Sequence, residues 1–321
     1  DHIIYSIFSY YKQYSIIYIL QKNFMNEVIM DKQEFKGYLL VLAGGAIWGT
    51  IGPFIKVMAD WGASSLLISF LRMSFAFLIM LFITLYKFRL QALRISKKEL
   101  VGCALLGLIC HGIYNVFYTL AVTLTGVSIS AVLLNIAPVF TALTSFIFLH
   151  EPMEKRKITA FAINILGCIL AVTNGTIDSS SISFIGILYG VGAGICYALT
   201  AVIALLAGKN TNVFTLSTYS YFFAAFFLAI YDVPWSDAHL YNADILTIGF
   251  FFALIPTAIA YLLYYQGVQY IKETSRVPVI ASVETLVAIF LGILFFHDQL
   301  HLVSSIGIIL VFISIWLINK K

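Results

Sequence analysis

The chain has 321 residues, of which 61% are hydrophobic and 11% charged, with a formal net charge of +4. An ordinary soluble domain is about 45–50% apolar and ~25% charged, so this chain has too few polar residues to cover a water-facing surface. A soluble enzyme and a nucleic-acid-binding module are thereby excluded, and the lipid bilayer is the expected surrounding.

In chain order, the first residues stand apart. Ile3–Leu20 is rich in Ile and Tyr but is broken by Lys12 and Gln13. It is too short and polar to span and lacks the small-residue cleavage site of a signal peptide. Met25 and Met30 lie just ahead of the first clean span. Residues 1–36 are therefore read as an N-terminal extension, dispensable or else cytoplasmic or interfacial, with Asp1–Phe24 as upstream sequence read in frame or a disposable interfacial segment.

Crossing about 30 Å of hydrocarbon takes ~20 mostly apolar residues. Span 1 is expected at Gly37–Ala59, span 2 at Ser65–Tyr86, span 3 at Glu99–Val122, span 4 at Val127–Leu149 and span 5 at Ile158–Thr173. Span 6 follows at Phe184–Ala207, span 7 at Phe214–Tyr231, span 8 at Ile245–Val268, span 9 at Ser275–Phe296 and span 10 at Leu302–Ile318. The connections are short and polar. The four cysteines lie within apolar runs without metal-ligand spacing and read as packing residues.

Lysine and arginine alternate in their placement. Lys87, Arg89, Arg94, Lys97 and Lys98 follow span 2, Lys155, Arg156 and Lys157 follow span 4, Lys209 follows span 6, and Lys272 and Arg276 follow span 8. The other connections carry Asp60, Asp178, Asp232, Asp237, Asp244 and Asp298 but no Lys or Arg. Basic loops stay inside, so both termini are expected in the cytoplasm of a multi-pass cell-membrane protein.

Two stretches recur. Gly45-Ala46-Ile47-Trp48-Gly49 in span 1 pairs with Gly194-Ile195-Cys196-Tyr197-Ala198 in span 6. Phe148-Leu149-His150-Glu151-Pro152 after span 4 pairs with Phe295-Phe296-His297-Asp298-Gln299 after span 9. The expected fold is thus an all-α integral membrane protein of ten transmembrane helices in two inverted five-helix repeats, 37–174 and 184–318. A five-span unit enters the membrane in opposite senses in its two copies, an arrangement typical of secondary transporters.

With these features in place, Gly37–Ile318 resembles the EamA-type members of the drug/metabolite transporter superfamily. The resemblance is carried by the Gly-Ala-Ile-Trp-Gly stretch with Lys56, by Arg72, and by Leu134-Asn135-Ile136-Ala137-Pro138. Leu149-His150-Glu151-Pro152, Val283-Glu284-Thr285 and His297-Asp298-Gln299-Leu300 complete it. It implies ten helices, cytoplasmic termini, a central cavity, and movement of amino acids and other small metabolites. Glu284-Thr285 replaces the family's frequent Glu-Pro, and Tyr197 replaces its frequent Trp.

Ionisable groups inside a membrane are costly and mark functional sites by default. Glu284 is the carboxylate well inside a span; desolvation penalises its ionised form, which suits it to proton exchange or, alternatively, to a neutral interhelical lock. Arg72 lies ~10 Å into span 2 at 1.5 Å per residue, either as a structural anchor or as an attractor of anionic groups. Lys56 reads as snorkelling to the interface. His111, Asn115 and Tyr118 share a helix face with Tyr114 one step aside, as a cavity lining or an interhelical network. Tyr261 and Tyr265, near Tyr264, line the site or form an interfacial belt. Trp48 and Tyr197 are matched aromatic walls, and Asn135, near Pro138, and Ser282 are polar contacts at helix irregularities.

The leading expectation is a secondary transporter exporting amino acids or related metabolites by alternating access. The alternatives are an exporter of lipophilic cations, with Glu284 as counter-charge, and a non-transporting scaffold or membrane enzyme. No P-loop spacing, HExxH or triad pattern is present, so no catalytic residue, metal or cofactor is expected. The expected partners are a small-molecule substrate, the bilayer and a second copy as a homodimer, but no nucleic acid.

Overall fold

The computed structural model describes residues 32–173, 183–208, 211–230, 239, 241–296 and 302–319. Residues 1–31 of the expected N-terminal extension, Asp178, Lys209, Asp232, Asp237 and the His297–Leu300 motif lie outside the described residues.

The described chain is helical. The first half comprises α1 (Lys32–Trp48), α2 (Ile51–Asp60), α3 (Ser65–Phe88), α4 (Lys97–Leu105), a π-helical stretch (Leu106–Ile113), α5 (Tyr114–Leu134), α6 (Ala137–Leu149) and α7 (Lys155–Thr173). The second comprises α8 (Phe184–Gly208), α9 (Val213–Ile230), α10 (Ala243–Ala253), a second π stretch (Leu254–Ile259) and α11 (Ala260–Tyr270). It ends with α12 (Val277–Ala281), α13 (Val283–Phe296) and α14 (Leu302–Asn319). Six helical segments among the described residues are long and apolar enough to cross a membrane, with shorter apolar helices beside them.

Three expected spans are broken within the bundle. Span 1 divides between α1 and α2, where Thr50 Oγ1 donates to Ile47 O at 2.7 Å. Pro53 explains the break, because its missing N–H cannot continue the ladder onto Gly49. Pro138 opens α6 after the Asn135–Ile136 turn and Pro278 opens α12, where proline's fixed φ suits a first turn. Span 9 divides at Ser282.

Helical geometry is continuous from Tyr114 to Leu134, through the expected link between spans 3 and 4. The chain nevertheless reverses there. Along α8, Gly192 faces Phe117 and Gly186 faces Leu124 and Thr125, whereas Gly190 faces Leu133 and Gly194 faces Leu133 and Ile136. The path thus runs toward the start of α8 up to Thr125 and away from it by Leu133.

Packing couples the two halves reciprocally. α1 packs on α11 as α5 packs on α8, and α1 packs on α12 and α13 as α8 packs on α6. α3 packs on α9, and α7 on α14. The α1–α13 contact is close: a Cβ on Gly49 would lie 2.6 Å from Val287 Cβ and 2.7 Å from Glu284 O. Glycine lets the end of α1 approach the backbone that carries Glu284, a use of small residues familiar in membrane helix packing.

Candidate functional site

The two π stretches lie within spans 3 and 8, and the principal buried polar network forms between them. A proline at position 256 cannot donate to Phe252 O; instead Thr257 Oγ1 donates to that carbonyl at 3.0 Å. Thr257 Oγ1 also accepts from Arg72 Nε at 2.7 Å, and Arg72 Nη2 donates to Pro256 O at 3.5 Å. Arg72 Nη1 donates to Asn115 Oδ1 at 2.8 Å, and the guanidinium lies 4.6 Å from the centre of the Phe252 ring. Asn115 Nδ2 in turn donates to His111 O. Arg72 is 2% exposed, and these donors are directed at protein groups.

Against this network stands a box of rings. Trp48 lies 4.7 Å from Tyr261, 4.8 Å from Tyr264 and 5.9 Å from Tyr197 by ring centroids. Tyr114 joins Tyr197 to Tyr118, at 5.9 Å from each. His111 is fully buried; its Nε2 pairs with Tyr265 Oη at 2.7 Å, and its ring meets Tyr261 at 4.7 Å and Tyr221 at 5.0 Å. These offset and edge contacts suit the aromatic quadrupole. Tyr261, Tyr264 and Tyr265 are buried in the bundle.

Glu284 sits at the start of α13 within electrostatic range of Tyr114, Tyr118, Tyr197, Tyr261 and Tyr264. It is partly exposed, as is Tyr118, and its carboxyl has no hydrogen-bond or ion-pair partner among the described residues. Trp48 Nε1 and Tyr197 Oη are buried without partners there too. Buried polar atoms are normally satisfied, so these orphans in one box point to a ligand or water that would pair with them.

Asn135 and Ser282 sit at the helix breaks within spans 4 and 9. Asn135 Nδ2 lies 3.4 Å from Thr285 Oγ1, next to Glu284. Ser282 turns away: its hydroxyl accepts from Asn164 Nδ2 at 2.9 Å and donates to Val279 O. Lys56 is exposed on α2 and outside the box. Sequence reasoning missed Tyr221 and Thr257. Thr257 had a readable signal, a hydroxyl directly after an intrahelical proline; Tyr221 had none, since its neighbours come from other spans.

One end of the bundle carries a second polar network. Glu273 accepts from Arg276 Nε at 2.7 Å and pairs with Lys157 Nζ at 3.1 Å, and Lys157 is 1% exposed. Arg276 Nη1 reaches Tyr38 Oη at 3.2 Å, which donates to Glu34 at 2.9 Å. Glu151 accepts from Thr274 N, Ser275 N and Ser275 Oγ at 2.7, 3.1 and 2.8 Å. The network joins the start of α1, the α6–α7 connection and the α11–α12 connection.

Partial burial works against the Glu273 carboxylate, but Arg276 and then Lys157 outweigh it and hold the group below its ordinary value of 4.5. A lowered folded-state value means the tie stabilises fully above 4.5 and is lost as pH falls through the lowered value. Thermal unfolding measured from neutral to acidic pH is expected to show wild type above Glu273→Gln at pH 7. The two should converge below the ordinary carboxylate range; parallel curves would contradict the linkage.

Comparison with known proteins agrees with this architecture. The EamA-like transporter family matches residues 35–173 and again 184–320. An uncharacterized transporter of Archaeoglobus fulgidus is 26% identical over 271 residues, covering 84% of this chain and 92% of its own. One from Clostridium kluyveri is 24% identical, covering 87% of this chain and 91% of its own. A solved structure superposes with a TM-score of 0.72 at 13% identity, covering 88% of this chain and 96% of its own, a likeness of fold.

Proposed function

The chain belongs to the EamA-like transporter family, a family of membrane transporters, and on that premise we propose that it moves a small amine-bearing metabolite, an amino acid or related compound, out of the cell by alternating access. The observation that carries the substrate reading is the charge inventory of the aromatic box. Glu284 faces it without a protein partner among the described residues, while the guanidinium of Arg72 is spent on Thr257, Asn115 and Pro256. A box with one available carboxylate and aromatic walls favours an ammonium group, through charge and cation–π attraction. Trp48 Nε1 and Tyr197 Oη then offer donors for the acceptor end of a zwitterion.

The twofold family match and the reciprocal packing support ten spans in two inverted repeats, with the box between them. The Lys/Arg alternation supports cytoplasmic termini. On that orientation the Glu273–Lys157–Arg276 tie is the closed cytoplasmic side, and the partly exposed Tyr118 and Glu284 face the outer opening.

Purified protein in proteoliposomes is expected to give saturable flux of amino acids, and none of carboxylic acids lacking an amine. Flux of quaternary ammonium dyes alone would identify the lipophilic-cation exporter. Absence of flux for every class would return the chain to the scaffold or enzyme reading.

A further inference from the structure

Away from the aromatic box lies a cleft of about 340 Å³ between the end of α3, the 3-10 turn Leu90–Leu93, and the starts of α4 and α9. Phe88 and Ile95 give it apolar wall, and Gln91, Arg94, Glu99 and Asn212 give it polar lining. We propose that this cleft binds the phosphodiester headgroup of an anionic membrane phospholipid, with Arg94 and Lys87 as its cationic contacts.

The charge balance sets the ligand's sign. Residues 87–99 contain Lys87, Arg89, Arg94, Lys97 and Lys98 against the single acid Glu99. Both Glu99 oxygens are engaged, one by the Ser96 N–H at 2.7 Å and the other by the Thr211 hydroxyl at 2.8 Å. Arg94 is exposed at the cleft, and its guanidinium has no hydrogen-bond or ion-pair partner among the described residues. Its fork matches phosphate geometry. Lys87 Nζ lies 5.7 Å from the centre of the Phe88 ring, a cleft wall, and 4.8 Å from that of Phe214.

The cleft is also built in advance. Thr215 Oγ1 donates to Ala92 O at 3.0 Å and Tyr219 Oη to Leu93 O at 2.7 Å, pinning the turn that precedes Arg94 onto α9. Its depth suits a headgroup: the exposed, stacked Phe82 and Tyr86 rings lie on the same helix end, and aromatic residues concentrate at membrane–water boundaries. Basic pockets between membrane helices hold anionic headgroups through the same combination of charge and apolar wall. The site is independent of what the aromatic box carries.

The test uses the full chain, delipidated in neutral detergent, with retained lipid counted by native mass spectrometry. Phosphatidylglycerol is expected to remain bound where phosphatidylcholine washes away. Arg94→Gln and Lys87→Gln should each reduce retention about fivefold, the effect of one basic residue at an anionic surface, while Arg94→Lys keeps most of it. Equal retention of the two lipids by wild type, or unchanged phosphatidylglycerol in the Lys87→Gln/Arg94→Gln double variant, would overturn the proposal. Displacement of the lipid by millimolar inorganic phosphate would reassign the cleft to a soluble anion and overturn the lipid source. The two-lipid comparison on wild type decides the matter even if a variant fails to fold.

Discussion

Replacing Arg72 by alanine is expected to lower the stability of the folded protein by about 3–5 kcal/mol, because each orphaned buried partner costs ~1–3 kcal/mol and a void is left besides. Asn115 Oδ1, Thr257 Oγ1 and Pro256 O all lose their donor, and Phe252 loses the cation against its ring. The effect reaches the site, since Asn115 also ties to His111 and Thr257 fills the gap that Pro256 leaves in its helix. Arg72→Lys should recover only part, because one ammonium cannot fork to Thr257 and Asn115 together. Thermal midpoints in detergent check this. Wild-type stability in Arg72→Ala would show that the guanidinium is not an anchor, and would free it for a substrate carboxylate.

Glu284→Gln is expected to remove gradient-driven flux while sparing exchange at saturating substrate, and to weaken binding of an ammonium substrate about 30-fold or more. That scale follows from the roughly 2–5 kcal/mol lost when one partner of a buried charge pair is removed. The substitution keeps the side chain's size, so the ring contacts of Tyr114, Tyr118 and Tyr197 are retained. Flux driven by a pH gradient and counterflow exchange, measured on the same vesicles, separate the two roles. Unchanged gradient dependence would remove Glu284 from coupling, and unchanged affinity would remove it from the substrate's ammonium.

Much of the candidate site is legible in the amino-acid sequence. Trp48, Arg72, His111, Asn115 and Glu284 are polar or amphipathic groups at depths where lipid would penalise them, and a single helical wheel places His111, Asn115 and Tyr118 on one face. Their division of labour is not legible there. Arg72 keeps two open readings along the chain, and its bonds to Thr257, 185 positions away, and Asn115, 43 positions away, are visible only in the fold. Ser282 reads as a site residue from its place in span 9, yet its hydroxyl is directed to Asn164 and Val279.

The sequence by itself determined which segments are apolar enough for lipid, which of their flanks carry basic charge, and which prolines cannot continue a helix. Each of these is local: hydropathy and loop charge are summed over a single span, and proline's missing N–H acts on its own helix. Only the tertiary structure decided which ionisable group is spent and which is available. That depends on how helices cross, because a side chain in a membrane finds its partners on neighbouring helices and has no water to satisfy it. The charge asymmetry of the box, with Arg72 bound and Glu284 unpartnered among the described residues, is a product of that crossing.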